Sequence, residues 1–133
     1  MTPTALLPIG VATLAAFMAG GLWYGPLFGK AWQAEQRLTE ADKARASMPR
    51  LFATTLVCEA VMATGFGLLM ALTGHDAQGK IMAALATAAL FVIPSMVVNH
   101  SYALKSAKLM AIDAGHWLLV FVVMGLAFAA LGG

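Results

Sequence analysis

The stretch Leu109–Leu131, LMAIDAGHWLLVFVVMGLAFAAL, is almost wholly apolar and yet contains Asp113 and His116. A helix needs about 20 predominantly apolar residues to cross the hydrocarbon core of a bilayer, and this run supplies them. Three further runs are of similar length: Leu6–Phe28, Leu51–Thr73 and Ile81–Asn99. None of them alternates as a transmembrane β-strand does, so we predict four transmembrane helices.

The composition of the whole chain favours the same class. Its 133 residues are 61% hydrophobic and 11% charged, with a mean hydropathy of +0.83. Soluble domains carry about 25% charged residues. We therefore predict an all-α fold, an integral membrane four-helix bundle that forms a single domain over residues 1–133. The net charge of +2 is not gathered into a basic cluster, so no nucleic-acid partner is expected.

The basic residues predict how the chain crosses the membrane. Seven of them fall in the first and third loops: Lys30, Arg37, Lys43, Arg45, Arg50, Lys105 and Lys108. The second loop holds only Lys80. The positive-inside rule then places the first and third loops in the cytoplasm and both termini on the opposite side of the membrane. No Lys or Arg precedes the first run, so we expect a retained span and not a cleaved signal peptide.

Local signals refine this picture at the first loop. Thr39 followed by Glu40 and Asp42 predicts the start of a short cytoplasmic helix, because a hydroxyl cap and early acids stabilise a helix N-terminus. Pro26 predicts a kink or stop as the first span ends. Cys58, the only cysteine, excludes an intrachain disulfide and is expected to pack as a small hydrophobe.

Small residues recur at intervals of four along three spans. The pairs are Ala16 and Gly20, Gly21 and Gly25, Ala63 and Gly67, and Gly125 and Ala129. Such pairs let helix backbones approach closely in lipid. We expect some of them to pack the four helices and others to form a homo-oligomer.

Polar residues at membrane depth predict a functional site. At 1.5 Å of rise per residue, Glu59 lies roughly 12 Å and His116 roughly 10 Å inside the membrane from the cytoplasmic side. Asp113 lies on the same helix face as His116 and Trp117. The predicted pocket faces the cytoplasm and contains Glu59, Asn99, Tyr102, Asp113 and His116, walled by Trp23, Tyr24 and Trp117. Thr55, four residues before Glu59, is positioned to donate to its carboxylate.

Several kinds of chemistry fit these residues. A carboxylate near an imidazole at low dielectric suits proton exchange, which favours binding or transport of a small solute, with Glu59 or an Asp113–His116 pair holding the proton. One alternative is a non-transporting scaffold or accessory subunit in which the polar groups only fix helix packing. Another is a metal-dependent membrane enzyme. The sequence contains no HExxH, GxSxG or phosphate-loop motif, so we predict no catalytic residues, no metal ligands and no enzymatic activity. Whether a cofactor binds is left open by the sequence.

Four segments of the chain resemble a known family. The first is the motif GGLWYGPLFGKAW over residues 20–32, and the others are Leu38–Asp42, Asn99–Tyr102 and Ile112–Trp117. Together they are similar to a small bacterial membrane family catalogued as domain of unknown function 1761. The resemblance implies four spans and a location in the bacterial envelope, and it implies no activity. Together with the predicted topology, it leads us to expect a multi-pass protein of the bacterial inner membrane with both termini in the periplasm. Glu59 lies outside these segments.

Overall fold

The computed structural model describes residues 3–132, and side chains from residue 5 onward. Within that range the chain forms only helices and turns. The four membrane-length helices are Ala5–Leu27, Met48–Thr73, Ala77–Tyr102 and Ala107–Leu131. They confirm the predicted fold and differ from the predicted bounds by at most four residues at any end.

Two of the spans contain a wide helical turn at or next to a proline. Span 1 consists of α1 (Pro3–Leu22) followed by one wide π-helical turn, Trp23–Leu27, that contains Pro26. Span 3 consists of α5 (Ala77–Thr87), a second wide turn at Ala88–Val92 and α6 (Ile93–Tyr102), which carries Pro94 in its first turn. A wider turn accommodates the carbonyl that a proline leaves without its donor.

The first loop contains two short helices, of which the sequence predicted one. The predicted helix is α3 (Glu40–Arg45), where Thr39 and Asp42 form a capping box: the Thr39 hydroxyl accepts from the Asp42 N–H at 3.1 Å. Hydrogen bonds from the Thr39 backbone N–H and hydroxyl, and then from Arg45, lower the pKa of the Asp42 carboxyl. The additional helix is α2 (Gly29–Gln36), which restarts directly after the Pro26 turn.

The remaining spans are the uninterrupted helices α4 (Met48–Thr73) and α7 (Ala107–Leu131). α7 is the centre of the bundle: it packs along both α1 and α5, and α1 packs along α4. Close approach depends on small residues that are fully buried, namely Ala12, Ala16, Ala63, Ala84 and Ala88. The spatial order is therefore α4, α1, α7, α5.

The first and third loops meet at one end of the bundle, which we call the loop end. The Lys105 ammonium donates to Gln36 Oε1 at 2.9 Å, and the Ser106 hydroxyl donates to Glu35 Oε2 at 2.6 Å. The opposite end, where α1 begins and α7 ends, is called here the termini end. Seven of the eight basic residues thus lie at or beside the loop end.

Candidate functional site

A cavity of about 770 Å³ lies between α4 and the α6–α7 pair, in the half of the bundle nearer the loop end. Span 1 and Trp32 of α2 form the rest of its lining, because α4 packs on α1 and α1 packs on α7. Most of its lining is apolar or aromatic, contributed by Phe17, Trp32, Met48, Phe52, Met62, Met96 and Trp117. Its ionisable lining residues are Glu59, His100, Asp113 and His116.

Glu59 is the most deeply buried of these groups. Its residue surface is only 2% exposed, and its Oε2 has no hydrogen-bond partner in the part of the chain that the structure describes. The predicted donor, Thr55, instead donates its hydroxyl to the Leu51 carbonyl at 2.7 Å, so that prediction was wrong. Serine and threonine hydroxyls within helices commonly donate to a carbonyl of the preceding turn, and Thr55 does so here. The cavity wall therefore contains a buried carboxylate oxygen that lacks a donor.

Asp113 is the centre of a network that joins three spans. Its Oδ1 accepts from the Tyr24 hydroxyl at 2.5 Å, and its Oδ2 lies 2.7 Å from His100 Nε2, so that an N–H there donates to the carboxylate. Tyr24 belongs to the π-helical turn of span 1 and His100 to α6. Both oxygens of Asp113 are thereby satisfied by partners on other helices.

His116 does not take part in that network, and the expected Asp113–His116 pair is absent. Its ring lies between the Tyr24 and Trp117 rings, with centroid distances of 4.7 and 4.8 Å. Its Nδ1 is buried without a hydrogen-bond partner among the described residues. A Cβ at Gly20 would lie 3.2 Å from its Nε2, so the small residue in α1 makes room for the imidazole.

Trp23 supports the site from outside the cavity. Its Nε1 donates to the Ile112 carbonyl at 2.9 Å, and its ring covers Gly115, where an added Cβ would lie 2.5 Å from the ring. The sequence placed Trp23 in the pocket wall beside Tyr24 and Trp117. The structure places only Tyr24 and Trp117 on the cavity.

We expect Gly115→Ala to displace the Trp23 ring, because the ring is held by its own hydrogen bond and must move to admit a methyl group. Overpacking of this kind costs about 1–3 kcal/mol. Near-ultraviolet circular dichroism should change relative to Gly21→Ala, a matched substitution with no atom within 4 Å of the added carbon. An unchanged spectrum for Gly115→Ala would contradict this packing.

Besides Trp23, two predicted site residues lie away from the cavity. Asn99 and Tyr102 are exposed, Tyr102 to 88%, whereas Met96 and His100 face the cavity. Asn99 and Tyr102 were predicted to share a pocket-facing side because they are polar and lie three residues apart. Positions 96 and 100 lie four apart and form the adjacent face, which is the one that α6 turns inward. The i, i+4 spacing of Met96 and His100 was the sequence feature from which this inward face could have been predicted.

No group of three or more His, Cys, Asp or Glu side chains arranged to hold a metal ion occurs among the described residues. The fold and the cavity define a multi-pass helical membrane protein with a polar site inside the bundle. The chain belongs to the family described as protein of unknown function (DUF1761), whose model matches residues 7–129, and this confirms the resemblance seen in the sequence. No curated protein and no solved structure matches the chain.

Proposed function

We propose that the protein binds a small lipophilic cation in the cavity between α4 and the α6–α7 pair, in exchange for a proton at Glu59. The observation that carries the proposal is the buried Glu59 carboxylate, whose Oε2 has no donor within the described chain. A buried carboxylate without a partner is costly, and a cation or a proton removes that cost. Glu59 can hold one or the other at a given time.

The rest of the cavity lining suits the same class of ligand. Aromatic faces attract organic cations, and Phe17, Phe52, Trp32, Tyr24 and Trp117 line the space around the carboxylate. The volume of about 770 Å³ lies within the range of small-molecule sites. The Asp113 carboxylate is already hydrogen-bonded to Tyr24 and His100, so its role is to hold these side chains in place. The Glu59 carboxylate is the group that pairs with the cation.

The proposal gives the protein a binding role, without catalysis, in the bacterial inner membrane, with the loop end in the cytoplasm. Support for this orientation comes from the basic residues at the loop end. The eighth, Lys80, is buried in α5 at the termini end. Binding with proton exchange is the elementary step of proton-coupled transport, and we propose movement of the cation across the membrane as its consequence.

The test is titration of the purified protein in detergent with tetraphenylphosphonium, by calorimetry at pH 8 and pH 5.5. We expect tighter binding at pH 8, because protons compete with the cation for Glu59 at the lower pH. Two buffers of different ionisation enthalpy should reveal proton release on binding. Glu59→Gln should weaken binding by about tenfold or more and abolish the proton release, since the amide keeps the shape and lacks the charge.

Glu40→Gln is the matched control, because this carboxylate lies on the exposed α3 and its side chain is 93% exposed. It should bind tetraphenylphosphonium as the unmodified protein does. No binding by the unmodified protein, or equal binding by Glu59→Gln, would refute the proposed function. The scaffold alternative, in which the polar groups only fix helix packing, would then be favoured.

A further inference from the structure

A second cavity, of about 590 Å³, lies at the termini end of the bundle and contains a buried cation. Its walls come from α1, α4, α5 and α7, and they are mainly apolar: Ala5, Pro8, Ile9, Leu68, Met70, Ala71, Phe128 and Leu131. Lys80, in the first turns of α5, lies on its lining and is only 7% exposed. The cavity is separate from the one that contains Glu59.

The Lys80 ammonium has few hydrogen-bond acceptors among the described residues. Its one hydrogen bond within the described chain goes to the Phe128 carbonyl at 3.4 Å, which is long for such a bond. That carbonyl already accepts from the Gly132 N–H at 2.9 Å. None of the ion pairs formed by the described residues involves Lys80. Among the described residues, the buried Lys80 ammonium therefore has one weak acceptor for its three N–H donors, and it lies beside a mainly apolar cavity.

We propose that this cavity binds an anionic glycerophospholipid, with its phosphate at Lys80 and an acyl chain along the apolar wall of α1, α4 and α7. The phosphate headgroup is inferred from charge complementarity, because a buried ammonium needs an anion and a phosphate provides several acceptor oxygens. Lys80 is the fourth residue of α5 and so lies near one end of its span, and the phosphate groups of a bilayer lie just beyond the ends of its hydrocarbon core. The apolar lining selects a ligand that also has a hydrocarbon chain.

The test measures thermal unfolding of the delipidated full chain in detergent, with phosphatidylglycerol or phosphatidylcholine added. Phosphatidylglycerol should raise Tm by about 3 °C or more beyond phosphatidylcholine. Lys80→Met should abolish that difference. Lys30→Met, which removes a lysine at the loop end, should preserve it, because Lys30 does not line the cavity.

Ala71→Phe supplies a second variant that leaves the ammonium in place. Ala71 lies on the exposed side of the cavity wall, so the ring should occupy the space of the acyl chain and also abolish the phosphatidylglycerol effect. Glycerol 3-phosphate, which has the anionic head without chains, should not stabilise the protein. Three results would overturn the proposal. The first is an equal Tm shift with both lipids, and the second is a phosphatidylglycerol effect that is unchanged in both Lys80→Met and Ala71→Phe. The third is stabilisation by glycerol 3-phosphate in the absence of lipid. In the first two cases, Lys80 only caps the C-terminus of α7.

Discussion

Asp113→Ala is expected to lower the free energy of unfolding by about 2 kcal/mol or more. The substitution leaves the Tyr24 hydroxyl and the His100 ring N–H without their acceptor in a buried site. It also removes one hydrogen bond between span 1 and α7 and one between α6 and α7. The measurement is unfolding in a mixed-micelle denaturant titration followed by tryptophan fluorescence.

The partners of Asp113 supply the control. Tyr24→Phe alone should destabilise the protein, but Tyr24→Phe added to Asp113→Ala should cost less than it does alone, because the orphaned hydroxyl is then removed. Glu40→Ala, on an exposed carboxylate, should change stability little. Strict additivity of the Tyr24 and Asp113 substitutions would show that the two side chains do not act together.

Gly125→Ala is expected to destabilise the protein by about 1–3 kcal/mol by forcing α5 and α7 apart. The added Cβ would lie 2.7 Å from the Ala84 Cβ and 3.3 Å from the Ile81 Cα, and neither atom can rotate away. α7 is the central helix, so its displacement affects the packing of the whole bundle. The change is read from the same unfolding titration.

Gly65→Ala is the matched control for this prediction. Gly65 lies within α4, and no atom lies within 4 Å of the position where its Cβ would be. Alanine is the better helix former, so this variant should be neutral or more stable by up to about 1 kcal/mol. Equal stability of the two alanine variants would mean that α5 and α7 are not in close contact at Gly125.

Much of the fold was predictable because its signals are local in the chain. Long apolar runs specify spans, since backbone groups in lipid must be satisfied within one helix. The Thr39–Asp42 cap is likewise complete within four residues. The small-residue spacing predicted close packing, and Gly20, Gly67 and Gly125 do lie against side chains or backbone of neighbouring helices.

The candidate site was predictable only in part. Glu59, Asp113 and His116 were placed at similar depth by counting residues, and all three line one cavity. The count says nothing about rotation of a helix about its axis, which is why Asn99 and Tyr102 were chosen in place of Met96 and His100. It also cannot say that Asp113 binds Tyr24 and His100 and leaves His116 unpaired.

The sequence by itself therefore determined the number of spans, the positions of the loops along the chain and the positions of the ionisable groups within their spans. These properties depend on the transfer of each segment from water to lipid, which is set by its own residues. The tertiary structure alone decided which faces turn inward, where a cavity lies between α4 and the α6–α7 pair, and that Lys80 is buried and not a loop charge. Those properties depend on packing between segments distant in the chain, where similar apolar faces compete and small differences in shape select one arrangement.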